Sequence, residues 1–346
     1  MAAAPAAPVV ESPCRNHMSR LCLYYLPEPE RDRWLPGDRF IRPLARRLLR
    51  GAAQPGGLDK VFLNLCLGLD RLGIDHEVNV PFRRLRPEDR VAVLGRGRHC
   101  LEGYARPNAI VAGIGLMTHP SEWPTLCEDY PIVRYLQHSA WCDAVYRRYF
   151  GNRCAIWPVG IDTRHWQPAD PGGKNIDFLL YDKIHWEREA RESDLVAPIR
   201  KILAQSGLTC ETLRYGHYAP DAFQTALTRC RAMIFLSAHE SQGIAAQEAL
   251  ASGVPIFAWD PGTVQDPERF RWGEPVIPAT SVPYFDDRCG LRFRDFVEFS
   301  ARLPEFRERQ VAGHFAPRDY IIENLTLEKC SQHFVDIVNA ASSAQA

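Results

Sequence analysis

The segment 234–260, IFLSAHESQGIAAQEALASGVPIFAWD, places two carboxylates and a glycine around one predicted helix. Its pattern reads strand, loop, helix, strand, and Glu240 stands in the loop at the carboxyl end of the first strand. Gly243 opens the helix and lets a ligand approach the backbone closely. The free N–H groups of Gly243 and Ile244 form an anion site suited to a diphosphate. Glu248, further along the helix, can accept two hydrogen bonds from a ribose diol. The segment therefore predicts handles for a sugar, a diphosphate and a ribose.

Short apolar strands alternate with helices on both sides of this segment. IDFLLYD (176–182), AMIFLSA (232–238) and VPIFAWD (254–260) are predominantly apolar, as expected for parallel strands covered on both faces. A similar alternation starts at LCLYYL (21–26) and continues with the amphipathic KVFLNLCLGLDRL (60–72), which Gly73 ends. The chain is therefore predicted to be α/β, with two Rossmann-like doubly wound domains that face each other across a ligand-binding cleft.

The length of 346 residues suits two domains of ordinary size. We expect a disordered tail at 1–17, a first Rossmann-like domain at 18–155, a second at 156–320, and a helix and tail at 321–346. The Ala- and Pro-rich start, MAAAPAAPVVESP, lacks the basic region and continuous apolar stretch of a signal peptide.

Composition excludes several classes of protein. Lys plus Arg and Asp plus Glu both number 42, so the chain has no net charge with which to attract nucleic acid, and no such partner is predicted. The cysteines are odd in number, 11, and none forms a C-x-x-C pair, which indicates a reduced cytoplasmic chain without a zinc site. No apolar run reaches the length of a membrane span.

Two motifs carry a resemblance to a known family. The spacing of Glu240 and Glu248, followed by EALASGVP (248–255), is similar to the E-x7-E region of retaining GT-B glycosyltransferases of family 4. PVGIDTRHWQP (158–168) resembles the family's interdomain crossover, with Val159 in place of its Asn. The resemblance implies a GT-B fold and transfer of a sugar from a nucleotide diphosphate sugar to an acceptor with retention of configuration. It also implies that the first domain, 18–155, receives the acceptor and that the second, 156–320, binds the nucleotide sugar.

The resemblance also implies roles for individual residues. Glu240 would orient hydroxyls of the donor sugar. In YDKIHWER, Lys183 and Arg188 would meet the diphosphate, although the family has its Arg and Lys in the opposite order. The Gly56–Gly57 pair would approach the donor phosphate, and the backbone of Gly216, in YGHY, would contact the base.

The family often has a histidine that faces the reactive donor carbon. His119, in MTHPSEWP, is favoured for this role over its rival His138, in QHSAW, whose place looks structural. No Asp-x-Asp motif stands at a strand end, and the Asp286–Asp287 pair reads as a surface feature. No required metal and no cofactor are therefore expected.

The acceptor stays open among a saccharide, a lipid-linked molecule and another small molecule. The basic stretch RFIRPLARRLLR (39–50) suits peripheral contact with anionic lipid, as in family members that glycosylate lipid-linked acceptors. A basic wall for an anionic acceptor and a solvated face without a role are the alternatives. Two rival functions also remain: a catalytically silent sugar-nucleotide-binding subunit, and a non-hydrolysing sugar-nucleotide epimerase.

Overall fold

The structure is a computed structural model that describes residues 19–26, 56–219 and 221–343. The expected tail at 1–17 and the basic stretch at 39–50 lie outside the described residues. The first of two parallel sheets has the strand order β2-β1-β3-β4-β5-β6. Its strands are β1 (Leu21–Tyr24), β2 (His76–Val78), β3 (Arg90–Val93), β4 (Ile110–Gly113), β5 (Ile132–Gln137) and β6 (Cys154–Ile156).

The second sheet is also parallel and has the order β11-β10-β9-β7-β8. Its strands are β7 (Ile176–Asp182), β8 (Cys210–Arg214), β9 (Cys230–Leu236), β10 (Ile256–Trp259) and β11 (Gly290–Phe293). The buried side chains of β7, β9 and β10 are almost all apolar because helices cover both faces of the sheet.

Helices connect the strands and cover the sheets. They are α1 (Gly57–Arg71), α2 (Leu126–Asp129), α3 (Ala140–Phe150), α4 (Arg188–Arg191), α5 (Ala197–Gln205), α6 (Ala222–Arg229), α7 (Ile244–Ala251), α8 (Glu268–Arg271), α9 (Phe296–Val311), α10 (Pro317–Asn324) and α11 (Leu327–Ser343). A π-helical stretch, Glu192–Val196, joins α4 to α5. Helix α1 buries Val61, Leu65 and Leu69 against the first sheet, and Gly73, at φ +66°, follows its end, as the sequence predicts.

Each sheet reverses its strand order at one point, between β1 and β3 in the first and between β7 and β9 in the second. Ligands of doubly wound sheets bind at the carboxyl ends of the strands beside this reversal. Lys183 directly follows β7, and the loop that carries Glu240 follows β9. The topology therefore places these two predicted residues on either side of the reversal.

The last helix returns to the first domain. Phe334, Val335 and Val338 of α11 are buried in the same apolar cluster as Leu21 and Val61. The crossover 157–161 passes beneath this helix, and a Cβ on Gly160 would lie 2.4 Å from the Cα of Leu327. Glycine is therefore required at that position for the close approach of the two segments.

A long connection, which we call the bridging segment (261–285), joins β10 to β11 and crosses to the first domain. Its residues Val264, Ile277 and Ala279 are buried in an apolar cluster that otherwise belongs to the first sheet and its helices. The bridging segment therefore ties the two domains together beside the cleft.

Within the described residues, no helix is both long enough and apolar enough to cross a membrane.

Candidate active site

A cavity of about 670 Å³ lies between the two domains, where the carboxyl ends of both sheets meet. Both domains contribute to its lining, among them Arg96, His119, His138, Lys183, Glu240 and Trp272. A cleft of this volume is within the range of small-molecule sites. It is therefore the candidate active site.

The Glu240 carboxylate is held from two sides. The Lys183 ammonium donates to it at 2.8 Å, and the Ser237 hydroxyl donates to its Oε1 at 2.7 Å. Its backbone N–H donates to the carbonyl of Thr280 in the bridging segment, and its carbonyl accepts from Nε1 of Trp141 in the first domain. The side chain keeps 11% of its surface exposed. The carboxylate is thus oriented in the cavity while one edge remains accessible.

Helix α7 begins beside this carboxylate, as the sequence predicts. Gly243, its N-cap residue, has φ +81°, in the left-handed region that favours glycine. No side chain caps the helix start, so the N–H groups of the first turn, from Ile244 onward, have no side-chain acceptor among the described residues. A helix start of this kind attracts anions.

Glu248 lies one turn further along α7 and is almost completely buried, with 5% of its side chain exposed. Its Oε1 accepts a 2.7 Å hydrogen bond from Nζ of Lys60 on α1, whereas its Oε2 is buried and has no hydrogen-bond partner among the described residues. Burial raises the pKa of Glu248, and the charge of Lys60 opposes that rise. Sequence reasoning missed Lys60, although it stands three residues after Gly57 on the first turn of α1.

The two predicted phosphate-binding cations have different surroundings. Lys183 lines the cavity and pairs with Glu240. Arg188 instead starts α4, outside the cavity lining, where its guanidinium pairs with buried Asp182 at 2.6 Å and with Glu192 at 2.8 Å. The structure therefore places Lys183 in the cavity beside Glu240 and Arg188 outside the cavity lining.

Neither of the two predicted glycines, Gly57 and Gly216, lines the cavity. Gly57, at the start of α1, is exposed, and a Cβ there would meet nothing within 4 Å. Gly216, at φ +77°, stands in an exposed turn beyond β8 and outside the cavity lining. The neighbouring Tyr215 ring lies 5.0 Å from the Lys183 ammonium, which makes it the nearer candidate for contact with a flat base. The roles of Gly57 and Gly216 stay predictions.

Both candidate histidines line the cavity, but their nitrogens face different partners. The ring of His119 stacks on Trp272 at 4.7 Å, and its Nε2 lies 3.4 Å from the carboxylate of Glu274, both residues of the bridging segment. His138 donates from Nδ1 to the carbonyl of Trp157 at 3.3 Å. Burial lowers the pKa of His138 to about 4, so that ring is neutral and its Nε2 is a hydrogen-bond acceptor.

The bridging segment was not assigned to the site from the sequence. Trp272 covers one face of His119, and Glu274 reaches both His119 and Arg148 of the first domain. The sequence ERFRWGE (268–274) has no apolar periodicity that would assign it to the site. Its position is set by contacts with the first domain. The Asp286–Asp287 pair lies outside the cavity, with Asp286 bound to Arg288. Within the described part of the chain, no group of three or more His, Cys, Asp or Glu residues has the arrangement of a metal site.

No protein-family model and no curated protein matches the chain. Several solved structures do match. Sucrose-phosphate synthase from Thermosynechococcus elongatus has 11% identity and a TM-score of 0.54, with 94% of this chain and all of that one covered. The lipopolysaccharide outer core galactosyltransferase WaaB has 11% identity and a TM-score of 0.52, with 95% and 100% covered.

A third match is TarM from S. aureus, solved with UDP, at 11% identity and a TM-score of 0.50, with 81% of this chain covered. The chain spans 58% of the pneumococcal O-GlcNAc transferase GtfA and 59% of TarM, about three fifths of each. At this identity the likeness concerns the fold. The two facing parallel α/β domains predicted from the sequence are thereby confirmed: the chain has the GT-B fold, the architecture of these glycosyltransferases.

Proposed function

We propose that the protein is a glycosyltransferase that moves a sugar from a nucleotide diphosphate sugar to an acceptor with retention of anomeric configuration and without a metal ion. The observation that carries the proposal is the placement of Glu240, Lys183 and the start of α7 together at the strand-order reversal of the second sheet. The fold shared with transferases that act on sugars supports it.

In the proposed reaction, the bond between the anomeric carbon and the diphosphate oxygen breaks, and negative charge grows on the diphosphate. The Lys183 ammonium and the N–H groups at Gly243 and Ile244 would stabilise that charge. Glu240 would then accept hydrogen bonds from donor-sugar hydroxyls and fix the ring beside the acceptor. The neighbouring Lys183 pairs with this carboxylate and orients it.

Glu248 would receive the ribose diol. One of its oxygens is bonded to Lys60 and the other has no hydrogen-bond partner within the described residues. A ribose hydroxyl would satisfy this second oxygen, which otherwise costs free energy because it is buried without a partner.

For the histidine that faces the donor sugar, we now propose His138 rather than His119. The Nε2 of neutral His138 is available as an acceptor for a sugar hydroxyl because its Nδ1 is fixed by the carbonyl of Trp157. His119 is buried like His138, but its ring is held between Trp272 and Glu274. We therefore assign His119 the role of a positioning residue that attaches the bridging segment.

Incubation with UDP-, GDP- and ADP-sugars tests the proposal. A transferase releases nucleoside diphosphate only in the presence of its acceptor, and NMR of the product would show the donor's anomeric configuration, with equal rates in EDTA. An epimerase would convert the donor without an acceptor. A silent subunit would show a thermal shift with the donor but no turnover, a rival that the absence of Arg188 from the cavity favours.

Acceptor and location are proposals of the same kind. If the acceptor is lipid-linked, the basic stretch 39–50 would contact anionic lipid from the cytoplasmic side. Sedimentation with anionic vesicles should then be lost when Arg46 and Arg47 are changed to Glu and should weaken with salt. Equal recovery in the supernatant with anionic and neutral vesicles would contradict the contact.

A further inference from the structure

A second cavity, of about 650 Å³, lies at the amino-terminal ends of the strands of the second sheet, on the side away from the candidate active site. Asp177 and Arg231, which line it, are the second residues of β7 and β9, the strands whose other ends lead to Lys183 and Glu240. With seven residues in β7 and a rise of about 3.3 Å per residue, the two cavities are separated by roughly 20 Å. The second cavity is therefore distinct from the candidate active site.

Three cations line this cavity around a single carboxylate. Nη1 of Arg307 and Nη1 of Arg231 lie 3.4 and 3.5 Å from the same Oδ1 of Asp177. The Asp177 Oδ2 already accepts hydrogen bonds from the backbone N–H and the hydroxyl of Thr209. With Lys174 added, the lining carries two more positive charges than negative ones. Such a concave cluster favours an anion.

The third cation, Lys174, is half-buried in the wall of the cavity. Burial lowers the pKa of Lys174, and the charge of Arg231 lowers it further. Among the described residues, no carboxylate pairs with Lys174. An anion placed between Lys174 and the two guanidiniums would relieve their repulsion.

The remaining walls are apolar, and one of them carries an additional donor. Val311, Phe315 and Pro317 line the cavity beside the cations. The Nε2 of Gln310 is buried and has no hydrogen-bond partner within the described residues, while its Oε1 accepts from Arg307 at 3.1 Å. The walls therefore suit a ligand with an anionic end and a ring-shaped or aliphatic body.

We propose that this cavity binds a small-molecule phosphomonoester, independently of the donor. A phosphomonoester carries close to two negative charges at neutral pH, which matches the surplus of two positive charges. Guanidinium groups such as those of Arg231 and Arg307 bind phosphate oxygens with forked hydrogen bonds. The volume is in the range of small-molecule sites.

Calorimetry with phenyl phosphate at low salt tests the proposal. Arg231→Ala should weaken binding by roughly tenfold or more, the loss of one charged hydrogen bond. Asp177→Asn should strengthen it, because the guanidiniums no longer share their charge with a carboxylate. Changes of opposite sign would not follow from a general loss of structure. Arg271→Ala, an exposed control at 79% side-chain exposure, and Lys183→Ala, which alters the other cavity, should leave binding unchanged.

Three outcomes would overturn the proposal. These are no binding by the wild-type chain, loss of binding in Lys183→Ala but not in Arg231→Ala, and equal affinity for benzoate and phenyl phosphate. Thermal unfolding of each ligand-free variant checks its fold. If Asp177→Asn does not fold, the double variant Lys174→Ala/Arg231→Ala replaces it, with an expected loss of roughly a hundredfold; wild-type affinity in that variant would contradict the site.

Discussion

The two glutamates at the ends of segment 240–248 are both bound by a lysine, but the lysines come from different domains. Lys183, the partner of Glu240, follows β7 in the second domain. Lys60, the partner of Glu248, belongs to α1 in the first domain. Glu240 is thus prepared within one domain, whereas the surroundings of Glu248 depend on how the two domains meet.

This difference predicts a role in turnover for Glu240 and a role in nucleotide binding for Glu248. The Glu240 carboxylate also accepts from Ser237 and keeps an accessible edge in the cavity. Glu248 has only one partner and a second oxygen that is buried without one among the described residues. We therefore expect changes at Glu240 to affect turnover, and changes at Glu248 to affect nucleotide affinity and the contact between the domains.

The largest expected effect follows from Glu240→Gln. Transfer should fall by about 10²-fold to 10³-fold, the usual cost of losing one preorganised electrostatic group. Affinity for the free nucleoside diphosphate should change little, because the proposed contact of Glu240 is with the sugar. Steady-state rates and calorimetry measure the two quantities, and Asp266→Asn, another carboxylate that lines the cavity, is the control. Transfer at a near wild-type rate would show that Glu240 is structural.

Glu248→Ala should show the opposite pattern. Loss of the proposed acceptor for the ribose diol should weaken nucleoside diphosphate binding by about 1.5–3 kcal/mol. The same variant should discriminate less between ribose and 2′-deoxyribose nucleotides, which calorimetry with both would measure. Unchanged affinity for the ribonucleotide would contradict the assignment and remove the distinction between the two glutamates.

The same contrast explains how far the sequence could predict the site. Glu240, Gly243, Ile244 and Glu248 belong to one strand-loop-helix unit, so their spacing alone fixes their relative positions. Lys60 is separated from Glu248 by 188 residues and reaches it only through the packing of two domains. No local pattern could therefore indicate this pair.

Arg188 shows a different limit of predicting a site from spacing in the sequence. Its spacing from Lys183 matches the family's pair of cations, but a helix begins at Arg188, and carboxylates before and after it bind its guanidinium. The fold was more predictable, because strands such as β7 and β9 are short and their central residues are apolar and buried. The bridging segment, by contrast, has no such pattern, since its apolar residues pack against the other domain.

Replacement of either lysine should lower stability, but to different extents. Lys60→Met should lower the free energy of unfolding by about 1–2 kcal/mol, because it leaves Glu248 as a buried charge without a partner. Lys183→Met should cost less, because Glu240 retains the Ser237 hydroxyl. Urea unfolding measures both. A double-mutant cycle of Lys60→Met with Glu248→Gln should be non-additive; additivity would show that the two side chains do not interact in solution.

The smallest effect concerns the pH dependence of stability. Burial raises the pKa of Glu248 in the folded protein, with Lys60 opposing the rise. The folded state therefore holds its proton at a pH where the unfolded chain has released it, so ionised Glu248 lowers stability. That cost begins to fall as the pH reaches the folded pKa and is gone below the ordinary glutamate pKa. Glu248→Gln should thus be more stable than wild type at neutral pH, with the difference shrinking on acidification towards the ordinary glutamate range. Urea unfolding of both proteins as a function of pH measures this, and Glu102→Gln, which removes an exposed carboxylate, is the control. A difference that is constant with pH would mean that Lys60 compensates Glu248 fully, and the two glutamates would then not differ in the way that their burial indicates.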